Sequence, residues 1–185
     1  MKKNIFSLLS VLLLVALLAT PAGAGGGIKL SGFRLGSLIA DGSAFGLGNT
    51  DWLIELEASG RASVMCTNPG KNPVPGQSSP HVEDTGVQEL PKESLTKNGK
   101  APFSVRTTPE EELNPFITWQ EGGCPNSKWT AKIDFVYWEH AIVSLIDPVT
   151  EVVVSRLEFT CVTTRIPQND GYTFDDGTVS CTPVN

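Results

Sequence analysis

From Asp51 to Cys66 the chain alternates without losing phase: Trp52, Ile54, Leu56, Ala58, Gly60, Ala62, Val64 and Cys66 are small or apolar. The intervening positions carry Glu55, Glu57, Ser59, Arg61 and Ser63, interrupted only by Leu53 and Met65. A period of two marks a β-strand with one face on a core and the other in water, whereas helical spacing would scatter these residues around a cylinder. At roughly 3.3 Å per residue the run would reach about 50 Å, beyond the usual strand, so a kink is expected at Ser59-Gly60. A one-residue bulge within the run would flip its later half, and the later half does not flip.

A second clean alternation begins at Trp129, Ala131 and Ile133 against Lys128, Thr130, Lys132 and Asp134. Beyond it Val136 and Trp138 point inward, yet so do Ala141, Val143 and Leu145. The slip predicts a bulge or corner near Glu139-His140, where a strand changes sheets. Asp147-Pro148-Val149-Thr150 is read as a hairpin turn onto a strand from Glu151 to Val162, with Val153, Leu157, Phe159 and Cys161 inward. Shorter strands are expected within Ile28 to Ala40, where Phe33, Leu35 and Leu38 supply apolar contacts, at Val87 to Leu90, and at Ala101 to Thr107.

Between these runs lie turn signals: Asp41-Gly42, Gly46-Leu47-Gly48-Asn49 and Lys97-Asn98-Gly99. The proline- and glycine-rich stretch from Thr67 to Gly86 reads as a loop across the end of the domain. Thr108 to Ser127 reads as loop again, with one helical turn at Pro109-Glu110-Glu111-Glu112 and with Phe116, Ile117 and Trp119 expected to pin it to the core, exposed display of these aromatics being the alternative. The segment after Thr164 is turn-rich and tied by Cys181. Short strands, 13 prolines and 18 glycines, and no amphipathic helix predict an all-β fold, an antiparallel two-sheet sandwich of immunoglobulin-like type, with a jelly roll as the alternative.

The first 24 residues alter the setting. Lys2 and Lys3, an apolar run from Ile5 to Ala19, and Pro21 followed by Ala22-Gly23-Ala24 form the pattern of a secretory signal peptide, with cleavage expected after Ala24. The run is short for a bilayer span, and no second long apolar segment follows, so no membrane span is expected after signal removal. Gly25 to Gly27 would form a flexible leader to a single domain spanning 25–185, secreted to the periplasm or the exterior. Loss of Lys2 and Lys3 from 14 basic residues leaves 12 against 20 acidic, a net charge near −8 that argues against nucleic acid or an anionic membrane as partner.

Four cysteines in an exported chain predict two disulfides. Three pairings are possible and the spacing does not decide among them. Cys66 with Cys124 and Cys161 with Cys181 is preferred, because each first member ends a predicted strand and each second member sits in a Gly, Pro and Asn rich loop. A crossed Cys66 to Cys161 bond would resemble the intersheet bond of antibody domains, but lacks the tyrosine two residues before the second cysteine.

Candidate chemistry is sparse. Glu55 and Glu57 share a strand face about 7 Å apart, a spacing compatible with the paired carboxylates of sugar hydrolysis, although Arg61 and Ser63 on the same face suggest a solvated surface. His81, Glu83 and Asp84, with His140, are potential metal ligands on a loop that offers no rigid support. Asn169-Asp170-Gly171, Asp175-Asp176-Gly177, Asp41, Asn49 and Asp51 offer oxygen ligands for a structural calcium, but their spacing is also that of ordinary turns. No cofactor, nucleophile elbow or phosphate loop is indicated.

The stretches Gly46-Leu47-Gly48-Asn49-Thr50-Asp51, Ala62 to Gly70 (ASVMCTNPG), Pro75-Gly76-Gln77, Lys97-Asn98-Gly99, and Gly123-Cys124-Pro125-Asn126 before Trp129-Thr130-Ala131 resemble a group of secreted bacterial β-sandwich proteins with no established activity. The resemblance spans Gly46 to about Leu145 and implies a Cys66 to Cys124 pair; Cys161, Cys181 and the long tail depart from it. The function expected from the sequence is an exported, noncatalytic binding or surface-associated module for an unknown protein or glycan. The alternatives are a structural subunit of an envelope or extracellular assembly, and a carbohydrate-active enzyme using Glu55 and Glu57. The oligomeric state is open.

Overall fold

The structure, a computed structural model, describes residues 29–31, 37–166 and 176–184. The segment expected to be a signal peptide, the glycine leader, Phe33, Leu35, Asn169 to Gly171 and Asp175 lie outside the described residues.

Two antiparallel sheets make up the fold. The smaller has the order β1 (Lys29–Ser31), β2 (Ile39–Ala44) and β6 (Ala101–Arg106). The larger is built on β3 (Trp52–Thr67), whose alternation covers all 16 residues of the strand. One edge of β3 pairs with β7 (Thr130–Asp147), followed outward by β8 (Val152–Ile166) and β9 (Asp176–Pro183). The other edge is shared between β5 (His81–Leu90), opposite Trp52 to Arg61, and β4 (Pro73–Pro75), opposite Met65 to Thr67. One helical turn, α1 (Glu110–Leu113), runs into a 3₁₀ turn at Asn114–Phe116. This is a sandwich: Ile54, Leu56, Ala62 and Val64 of β3 and Val136, Trp138, Val143 and Leu145 of β7 share one core with Ala40, Phe103 and Val105 of the smaller sheet and with Leu38 just before β2. Trp138, 1% exposed, is the largest fully buried side chain among the described residues.

The kink expected at Ser59-Gly60 falls where the β3–β7 register shifts. The extra residue belongs to the partner: Ser59 opposes His140 and Gly60 opposes Trp138, leaving Glu139 unopposed, and a second shift leaves Asp134 unopposed. The bulges therefore sit in β7, which is why β7 slips phase and β3 does not. A Cβ on Gly60 would overlap the Tyr137 carbonyl oxygen, so the bulge requires glycine opposite it. Contrary to expectation, β7 does not change sheets at Glu139-His140; it stays paired with β3 from Thr130 to Ile146.

Other expectations are corrected. Asp41-Gly42 is not a turn but the middle of β2, where Gly42 opposes Phe103. The stretch after Cys66 is loop only in part, since β4 and the first half of β5 lie within it. Asn98-Gly99 does form a turn, with Gly99 at φ 63° and its N–H donating to Thr96 O, but it links strands of different sheets. Val153 is 49% exposed, because Leu145 opposes Ser155 while Ile146 opposes Val153, and the bulge at Val154 turns Val153 outward. Phe116 does not pin its loop; it is 80% exposed, while Ile117 and Trp119 pack on the core. Cys181 lies in β9 rather than in a loop.

The disulfides are Cys66–Cys124 and Cys161–Cys181. The first ties the end of β3 to the loop before β7, and the second joins residues directly opposite in the β8–β9 ladder. Among the described residues no helix is long and apolar enough to cross a membrane.

Candidate functional site

Strand β5 closes one side of the sandwich through its side chains. Its inward positions include Asp84, Gly86 and Gln88, which are not core residues in kind. Gln88 Oε1 accepts from the Ser104 N–H (2.8 Å), and the Asp84 carboxylate accepts from the Thr108 N–H and hydroxyl. Between them Gly86 lets the Arg106 carbonyl approach so closely that a Cβ would overlap it. β5 side chains, not a backbone ladder, thus satisfy the Ser104 N–H of β6 and the Thr108 N–H just beyond it across the sheet-to-sheet corner.

Beyond that corner the chain turns through α1 and the 3₁₀ turn, leaving a groove of about 340 Å³ beside the first half of β5. Val82, Leu113, Phe116, Ile117 and Ile133 supply its apolar walls, and Glu83, Asp84 and Glu121 its polar rim. The walls are fixed. Asn114 Oδ1 accepts from the Ile133 N–H, anchoring the 3₁₀ turn to β7. Glu121 Oε2 accepts from the Thr118 N–H (2.8 Å) and hydroxyl (2.7 Å), and these bonds, backbone first, lower the pKa of the carboxyl from its ordinary value. Cys124, five residues after Trp119, donates its N–H to Trp119 O and bonds to Cys66.

A second depression, of about 400 Å³, lies on the wet face of β3, where Glu57, Ser59, Glu83, Thr85, His140 and Ile142 are among its lining residues. The ladder places Glu83, Ser59 and His140 in one row across the sheet and Thr85, Glu57 and Ile142 in the next. Glu55 is not among the lining residues; it stands between Val87 and Ser144.

The potential metal ligands are dispersed. Glu83 and Asp84, as neighbours in a strand, face opposite sides, and Asp84 is engaged by Thr108. His81 Nε2 lies 3.1 Å from Glu83 Oε1, in a different row from His140. Among the described residues no group of three or more His, Cys, Asp or Glu converges closely enough to hold a metal. Of the oxygen ligands considered for calcium, Asp41 lies within β2, and Asp51 Oδ1 accepts from the Lys92 N–H (2.9 Å) at the start of the 3₁₀ turn Lys92–Ser94.

Sequence reasoning missed the groove because it took His81 to Gly86 as loop and Phe116 as core. The available signal was the alternation of His81, Glu83, Thr85 and Glu89 with Val82 and Leu90, which three polar or glycine inward positions obscure. No protein-family model, no curated protein and no solved structure matches the chain.

Proposed function

We propose that the protein is an exported, noncatalytic binding module that takes its ligand in the groove beside the first half of β5. The observation that carries this reading is Phe116, a large aromatic side chain 80% exposed on a turn whose neighbours are fixed by hydrogen bonds and a disulfide. Exposed aromatic surface on a rigid support is suited to recognition, because little conformational freedom is lost on binding. Export is supported by the N-terminal pattern from Lys2 to Ala24 and by two disulfides, which persist in oxidising compartments. The resemblance to secreted bacterial β-sandwich proteins supports the same location and adds no activity.

The separation of Glu55 from the depression that Glu57 lines, and the absence of Phe, Tyr or Trp among that depression's described lining residues, favour a noncatalytic reading over sugar hydrolysis. The test is a chemical-shift survey of the oxidised mature domain against oligosaccharides and peptides. Ligand-induced shifts are expected at Val82, Phe116 and Ile117, and should vanish in Phe116→Ala. Shifts confined to Glu57 and His140, with turnover of a glycan lost in Glu55→Gln, would replace this reading with the enzymatic one. Concentration-dependent polymers in sedimentation, without groove shifts, would favour a structural subunit.

A further inference from the structure

We propose that the edge of β5 from His81 to Thr85 accepts an extended cationic peptide as an added strand, with one apolar side chain of the peptide seated against Phe116. This rests on the groove being the binding site and names its ligand. The phase of the β3–β5 ladder is set by the Ala62 N–H, which donates to Pro80 O (2.9 Å). Hydrogen-bonding pairs in an antiparallel ladder recur every second residue, so Val82 and Asp84 direct their backbone groups at β3, and His81, Glu83 and Thr85 direct theirs away from it. Among the described residues those three form no backbone hydrogen bond outside that ladder. At Gly86 the Arg106 carbonyl packs against the inward face of β5, and the groove lies before that point, from Pro80 to Asp84. The edge at His81 to Thr85 adjoins the apolar groove, and backbone pairing plus one side-chain pocket is the combination used in strand addition.

Charge selects the occupant. The Glu83 side chain is 78% exposed, the Thr118 hydrogen bonds lower the pKa of Glu121, and among the described residues no Lys or Arg lines the groove. A second copy of this chain pairing β5 against β5 would bring two such acidic edges together, which like-charge repulsion opposes. A strand carrying Lys or Arg around an apolar anchor meets both features.

The probe is a fluorescein-labelled peptide alternating lysine and valine with one central phenylalanine, titrated into the oxidised mature protein and followed by anisotropy. Its controls are the glutamate-for-lysine counterpart and a version N-methylated at alternate amides. Saturable binding of the cationic peptide, weakened by salt and lowered by about tenfold or more in Phe116→Ala, in Glu83→Lys and for the N-methylated peptide, is the expected result. Thr85→Pro, which removes an N–H outside the β3 ladder, should lose affinity with an unchanged melting temperature. Equal binding of the cationic and anionic peptides, no saturable binding, or full affinity of the N-methylated peptide would overturn the proposal. If the peptide fails while another ligand still shifts Phe116, strand addition is wrong and the groove reading stands. If no ligand shifts Phe116, both fall.

Discussion

Removing the Cys66–Cys124 bond should cost more stability than removing Cys161–Cys181. The bonds close sequence separations of 58 and 20 residues. Loop-closure entropy in the unfolded chain then gives about 4 kcal/mol for the first and about 3 kcal/mol for the second at 25 °C. The gap widens for a structural reason. Cys66 and Cys124 are both buried, so their loss also leaves space beneath the groove loop, whereas Cys161 and Cys181 sit opposite each other in a ladder that eight register pairs already define. The assay is urea unfolding of the double variants C66A/C124A and C161A/C181A, followed by tryptophan fluorescence. For a domain of this size, about 4 kcal/mol corresponds to a fall in Tm of about 8–16 °C. If C66A/C124A loses less than about 1 kcal/mol, or less than C161A/C181A, the first bond is not the staple assigned here.

Gly86→Val places a side chain into the Arg106 carbonyl and should force β6 off β5, lowering stability by about 1–3 kcal/mol or more as measured by thermal melting. Phe116→Ala should change stability by no more than about 0.5 kcal/mol, because the ring is mostly in water, while removing ligand-induced shifts in the groove. Glu121 and Asp147 have lowered pKa values, the latter chiefly from the Val149 N–H donating to Asp147 Oδ1. A depressed folded pKa contributes stability that is present above the unfolded value, near pH 4, and is lost as pH falls through the folded value. Carboxyl titration by NMR should therefore place both groups below their ordinary values, and Glu121→Gln and Asp147→Asn should each flatten the acid limb of the stability profile; no change in that limb would contradict these contacts.

Legibility in the sequence followed how cleanly each strand separates core from solvent. β3 was readable because it is an inner strand with partners on both edges for most of its length, core on one face and water on the other. The β7 bulges were visible as a phase slip, but a slip alone does not say whether a strand bends or changes sheets, and here Glu139 simply protrudes from a continuous ladder. The bulge at Val154 was hidden because Val152, Val153 and Val154 are identical in kind, so the sequence carries no phase there. β5 was obscured for a chemical reason: Asp84 and Gln88 face inward to cap the β6 edge, and Gly86 makes room for it, so a strand that closes the sandwich reads as polar loop. Phe116 was misplaced by the rule that aromatics bury, and its exposure is what makes the groove a candidate binding surface.

The most direct test is residue-resolved amide hydrogen exchange across β5, in the unliganded mature protein and with the lysine–valine peptide bound. In the unliganded protein Val82 and Asp84 should exchange slowly and His81, Glu83 and Thr85 rapidly; bound peptide should slow those three while leaving Val82 and Asp84 as they were. Uniform protection along His81 to Thr85 before peptide is added, or no change in those three amides at saturation, would contradict an open edge that receives a strand.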